Sequence, residues 1–265
     1  MVTDLTSCHP TWFHRGVDRC FVPTEEVAAL ARRAGLTNAQ IVQHGLPIRP
    51  AFAAPLPPRP ALRQKLGLAP QGSVVLLMGG GEGMGLLEPT ALALAEALPP
   101  SAQIVVVCGR NAALASRLSA RAWPCGMVVK GFVSDIDEWM GASDVVITKA
   151  GPGTIAEALI RGVPLLLNGA IPCQEEGNVP FVVEVRTTAA PRAGPALASD
   201  APRAAQNGVG QFNTEPKAIA AQVAAWFGPK AEELAEMAAK AKALGRPNAT
   251  FRIVRDLADL CAVKA

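Results

Sequence analysis

The chain has 265 residues, of which 50% are hydrophobic and 18% charged, and a formal net charge of +3. That length and apolar content describe a globular protein with one good core and part of a second. The small positive charge comes from scattered basic residues, which argues against nucleic acid as a partner and suits an anionic substrate or a lipid surface.

The apolar runs are strand-length, and none nears the roughly 20 residues of a bilayer span, so no transmembrane helix is expected. The six cysteines (Cys8, Cys20, Cys108, Cys125, Cys173, Cys261) show no Cys-x-x-Cys spacing. They read as free thiols, not as disulfides or a zinc site.

In chain order, residues 1–5 read as the end of a strand entering a loop, without a helical start, signal or transit sequence ahead of them, as in the middle of a protein. A strand at 18–22, a helix at 25–34 and a strand at 40–44 make a small αβ unit, residues 1–45, expected as the remnant of an amino-terminal domain. Prolines at 47, 50, 55, 57, 58 and 60 mark a stiff, non-helical linker assigned to residues 46–62. From residue 63 strands and helices alternate: 74–78, helix 86–98, 103–108, helix 112–120, 127–130, helix 135–140, 145–148, helix 154–161, 164–167. That alternation predicts an α/β fold with a parallel sheet wrapped by helices, the Rossmann-like domain being assigned to 63–247. Helices at 216–227, 231–244 and 248–261 close the chain, the last giving a C-terminal helix over 248–265. Residues 185–206 are rich in Ala, Pro and Arg, lack periodicity, and read as a disordered insertion or as translated intron sequence.

Two glycine-rich turns carry the chemistry. Gly79-Gly80-Gly81-Glu82-Gly83-Met84-Gly85 follows one strand, and Lys149-Ala150-Gly151-Pro152-Gly153-Thr154 follows another and opens a helix near Thr154. Glycines let backbone amides approach an anion, and the free N–H groups of a helix start point at it. In an open parallel sheet both turns lie beyond the carboxyl ends of the strands, where ligands bind. Neither matches a dinucleotide fingerprint or a P-loop, so a nucleotide sugar, its diphosphate held from both sides, is the leading reading.

Gln174-Glu175-Glu176-Gly177-Asn178 gathers amide and carboxylate groups in a loop, which suits a neutral polyol; Gln174 and Glu175 are expected on hexose hydroxyls, with Asn178 on the sugar or structural. Asp135-Ile136-Asp137 resembles a metal-holding Asp-x-Asp, but a capped helix start explains it better, and no metal or other cofactor is expected. Lys149 either assists the turns or faces solvent. His9 and His14 read as structural, Trp12 as a candidate contact for acceptor lipid or membrane. His44, Gly45 and Arg49 are expected to flank a hinge.

The runs Cys8–Pro10 with Thr11, Trp12, Phe13 and His14, then His44-Gly45-Leu46-Pro47-Ile48-Arg49-Pro50, residues 77–85, Cys108-Gly109-Arg110-Asn111, 148–162 and 174–180 together resemble the monogalactosyldiacylglycerol synthase family. That family is similar to the bacterial lipid-linked N-acetylglucosaminyl transferase, and the resemblance implies a GT-B fold. It further implies inverting transfer of galactose from UDP-galactose to diacylglycerol, peripheral membrane contact and a plastid envelope location. By the same resemblance Gly80, Gly81, Gly83, Gly151, Pro152, Gly153 and Thr154 cradle the diphosphate, Glu157 accepts from the ribose hydroxyls, and the Gly131-Phe132-Val133 backbone pairs with uracil while Phe132 packs its ring. Without the resemblance Phe132 would read as core. The family's catalytic base and most of its lipid pocket belong to a domain expected to be missing here. Two alternatives stay open: transfer to another lipid acceptor such as a polyprenyl diphosphate, or an inactive UDP-sugar-binding fragment.

Overall fold

The computed structural model describes residues 1–83, 85–183 and 207–264. Residues 185–206, expected as an insertion, lie outside the described residues.

The chain begins with a 3-10 turn, Pro10–Trp12, then strand β1 (Cys20–Val22), helix α1 (Glu25–Arg33) and strand β2 (Ile41–Gln43), the two strands pairing in parallel. Thr24 caps α1 by accepting from Val27 N at 3.3 Å, with Glu25 and Glu26 in the first turn and Arg32 and Arg33 in the last, each favoured by the helix dipole. Val2, Phe13, Cys20, Val22, Val27 and Ala31 form a small core of their own.

The proline-rich stretch is not free of helix. Pro50–Ala53 makes a 3-10 turn, and α2 (Arg59–Lys65) opens with Pro60 in its first turn. Proline there lacks only an N–H that the helix would leave unpaired, and its fixed φ suits the start.

Among the described residues six parallel strands follow: β3 (Val74–Met78), β4 (Gln103–Val107), β5 (Gly126–Lys130), β6 (Val145–Thr148), β7 (Leu165–Leu167) and β8 (Gly210–Phe212). They lie in the order β5-β4-β3-β6-β7-β8. Between them run α3 (Leu87–Ala97), α4 (Ala112–Ser119), α5 (Ile136–Ala142), α6 (Pro152–Arg161) and α7 (Asn178–Val182). The chain then closes with α8 (Pro216–Trp226), α9 (Ala231–Leu244) and α10 (Ala249–Lys264).

Side chains alternate across a strand, and both faces of this sheet are covered, so β3 reads as an unbroken apolar run, and so does β4 after Gln103. Leu76, Met78, Val105 and Val146 face α5 and α6 in one layer, while Val75, Leu77, Ile104 and Ile147 join α3 and the buried Trp226 of α8 in the other. The helix α10 returns toward the amino-terminal unit, where Thr250 Oγ1 donates to Ile48 O at 2.6 Å and His44 Nε2 meets Asp256 Oδ2 at 2.8 Å. Among the described residues no helix is long and apolar enough to cross a membrane.

Candidate functional site

In this strand order the connections reverse direction between β3 and β6, the switch point at which an open parallel sheet leaves a crevice. Both glycine turns arise there, one from each of the two strands. The second opens α6 two residues earlier than the sequence predicts: Gly151 is the N-cap, Pro152 takes the first turn, and Ile155 N bonds Gly151 O at 3.0 Å. The N–H groups of Gly153 and Thr154 precede that first helical bond and are left for a ligand. A Cβ built on Gly153 would meet no atom within 4 Å, so its glycine leaves an open approach.

The first turn lies on the loop that follows β4. Gly80 and Gly83 have φ of 70° and 60°. A Cβ on Gly83 would collide with the Cys108 carbonyl, and one on Gly109 with the Gly81 carbonyl. Gly83, expected on the diphosphate, is thus dictated by this close approach, whereas Gly80 and Gly81 face the crevice. Arg110 N donates to Gly81 O at 2.8 Å and Asn111 Nδ2 to Gly83 O at 3.4 Å, while Arg110 pairs with Glu82.

These loops enclose an open cavity of about 390 Å³ lined by Gly80, Gly81, Phe132, Val133, Thr154 and Glu157, with Arg49 at its side. That is the size range of small-molecule sites. Phe132 is 65% exposed, so it is not core; its ring lies 5.8 Å from the Arg110 guanidinium. One cavity thus brings together the aromatic ring of Phe132, the carboxylate of Glu157 and residues of both glycine turns. Burial pushes Glu157 up to about 7, with Arg49 opposing the shift and Asp137 adding to it. Arg49, read from sequence as a hinge residue, also donates to Ser134 O at 3.2 Å and stacks over Phe52.

The loop at 174–178 divides. Gln174 is exposed, after a turn in which Cys173 takes a φ of 63°. Glu175 is only 3% exposed, and both its oxygens are engaged, one by Lys149 Nζ and the other by Ile171 N at 3.1 Å. Asn178 is fully buried and donates to Ala150 O at 3.1 Å, while its Oδ1 accepts from Thr6 Oγ1 at 3.3 Å. Glu175, expected on the sugar, and Asn178, expected on the sugar or as structural, both hold the internal partners that buried polar groups need.

Asp135 takes the N-cap position of α5 without a side-chain capping bond, and Asp137 is no cap either, since it pairs with Arg161 at 3.0 Å with both side chains nearly buried. Asp137→Ala should cost about 3–5 kcal/mol in a urea titration, because it strands a buried guanidinium whose remaining hydrogen bonds go to the carbonyls of Ala51 and Ala54. An unchanged midpoint would remove the pair from the fold's supports. His9 Nδ1 accepts from Thr11 N at 3.3 Å and His14 Nδ1 from Gly16 N at 3.1 Å, so both histidines serve turns, as expected. Trp12, at the end of the 3-10 turn, is 52% exposed. Sequence reasoning gave no role on the site to Arg110, although its place after the strand and Gly109 was the available signal.

The architecture is that of GT-B glycosyltransferases. Residues 1–48 match the family model of monogalactosyldiacylglycerol (MGDG) synthase, and residues 74–177 that of the glycosyltransferase family 28 C-terminal domain. The chain is 49% identical to a probable monogalactosyldiacylglycerol synthase, chloroplastic, of Nicotiana tabacum, over 98% of this chain and 46% of that protein. It is 48% identical to monogalactosyldiacylglycerol synthase, chloroplastic, of Spinacia oleracea, over 100% of this chain and 48% of the relative. The chain belongs to the monogalactosyldiacylglycerol synthase family, and it spans about half the length of the curated relatives it matches. Among solved structures, Anabaena HepE in complex with UDP superposes with a TM-score of 0.53 at 18% identity, covering 91% of this chain and 64% of that one. The UDP-GlcNAc 2-epimerase of Neisseria meningitidis bound to UDP-GlcNAc does so with a TM-score of 0.59 at 16% identity, covering 91% and 62%. At these identities both speak to fold alone.

Proposed function

We propose that this chain is the donor-binding part of an inverting, metal-independent transferase that moves galactose from UDP-galactose to 1,2-diacylglycerol. The observation that carries the reading is the cavity at the switch point, lined together by Phe132 and Val133, by Glu157, and by Gly80, Gly81 and Thr154 of the two glycine turns. Uracil would lie along Phe132, the ribose hydroxyls would donate to Glu157, and the diphosphate would rest on the amides of Gly80, Gly81, Gly153 and Thr154. Gln174 remains the candidate for the hexose hydroxyls.

In transfer, the acceptor hydroxyl attacks the anomeric carbon and UDP departs, its growing negative charge met by those preorganised amides and the α6 dipole. Helix amides already supply this stabilisation, so no metal is assigned to the step. In a longer protein containing this chain and active in transfer, EDTA should leave activity intact; a loss restored by manganese or magnesium would overturn the assignment. No described residue is assigned as the base: none of the three histidines lines the cavity at the switch point. The plant relatives named chloroplastic support a plastid location, with exposed Trp12 touching lipid at the envelope surface.

The test is calorimetry with UDP alongside a radiolabelled-galactose assay. The chain should bind UDP and transfer no galactose by itself. Absence of UDP binding would remove the donor-site reading, and turnover would show that the base lies within this chain.

A further inference from the structure

Lys149 lies between the two glycine turns, and neither turn alone accounts for where its ammonium is held. It leaves β6 directly after Thr148, half-buried. A Cβ built on Gly151 would be 3.3 Å from Lys149 Nζ, and one built on Gly80 would be 3.6 Å from its Cε. The side chain therefore runs across the gap between the loops that follow the two central strands. Its ammonium pairs with Glu175, whose side chain is 4% exposed against 35% for that of Lys149. The carboxylate is fixed in turn, because Ile171 N donates to its other oxygen at 3.1 Å and Asn178 ties the following helix to Ala150 O at 3.1 Å.

A buried carboxylate holding a lysine from behind restricts a side chain that would otherwise sample many rotamers. An ammonium has three donors, and Glu175 takes one of them. The ammonium end of the side chain is beside Gly80 and Gly151 of the two turns, and Gly80 lines the cavity.

On the donor-site reading above, we infer that Lys149 is a phosphate-contacting cation of the diphosphate subsite, and that Glu175 is a positioning residue acting through it. The ligand chemistry is a diphosphate monoester whose second phosphoryl group reaches the gap between Gly80 and Gly151. The chain thus supplies one directed positive charge beside neutral backbone amides, at the place where a metal-dependent transferase would put its ion. Glu175 then serves donor binding without touching the sugar.

The experiment compares uridine, UMP and UDP by calorimetry on the full chain. Lys149→Met should weaken UDP roughly 10- to 100-fold, the worth of a charge-assisted contact, while uridine binding stays within about twofold. Lys149→Arg should recover part of the loss. Glu175→Gln, which keeps an acceptor for Ile171 N, should weaken UDP several-fold and spare uridine. The double variant should bind UDP no worse than Lys149→Met alone, because Glu175 has nothing left to act through. Equal UDP affinity in wild type and Lys149→Met overturns the assignment of Lys149. Additive losses in the double variant, or a parallel loss for uridine, overturn the assignment of Glu175. Failure of the wild-type chain to bind both uridine and UDP would instead sink the donor site on which the inference rests.

Discussion

Gly153→Val is expected to abolish UDP binding while leaving the fold in place. Gly153 is exposed in the first turn of α6, and a side chain built there meets nothing within 4 Å. Its φ lies outside the left-handed region, so an L side chain is tolerated by the backbone. Glycine is roughly 1 kcal/mol worse than alanine within a helix, and valine less so, which gives the variant a thermal midpoint equal to or slightly above that of the wild type. The branched side chain would nevertheless stand where the phosphate must meet the N–H groups of Gly153 and Thr154, and amides cannot bond an anion across two methyl groups. Opposite signs for stability and binding separate this site from a packing glycine. At Gly109, where a Cβ would strike the Gly81 carbonyl and φ is 56°, even alanine should lower the midpoint and binding together. A Gly153→Val chain with wild-type UDP affinity would take the diphosphate away from this turn.

The contrast also explains which parts of the site could be read from sequence. The two turns were legible because glycine clusters after apolar runs have few other causes, and the runs were legible because a doubly covered parallel sheet buries every residue of Val74–Met78 and Gln103–Val107. What sequence leaves open is the partner of each polar residue. Glu175 and Gln174 are neighbours of similar chemistry, yet one is buried against Lys149 and the other exposed, a difference set by the turn from Ile171 and not by residue type. Asp137 looked like a cap or a metal ligand because its true partner, Arg161, lies 24 positions away on the neighbouring helix. The helix at Arg59–Lys65 was hidden by its prolines, which signal a break only when they stand inside a helix and not when they begin one.

Glu157 gives the second large effect, a pH dependence whose sign follows from burial. Its carboxyl is pushed up from 4.5 to about 7, chiefly by burial, with Arg49 opposing and Asp137 adding to the shift. The charged form is therefore the disfavoured one in the empty site. Stability is full below the unfolded value of 4.5 and declines as pH rises toward 7, because the unfolded chain gives up the proton more readily than the folded one. Ribose hydroxyls donate to a carboxylate better than to a carboxylic acid, so nucleoside binding has the opposite trend and strengthens through the same window. Uridine is the ligand to use, since it lacks the phosphate that titrates near 6 in UDP. Its affinity should fall by about tenfold between pH 8 and pH 6. Glu157→Gln should flatten that profile, weaken uridine at pH 8 by an amount on the order of 1–3 kcal/mol, and raise the urea midpoint of the empty chain at the same pH. A profile that stays steep in the Gln variant would place the titrating group elsewhere, and a midpoint that falls would mean that the Glu157 carboxylate supports the fold instead of straining it for the ligand.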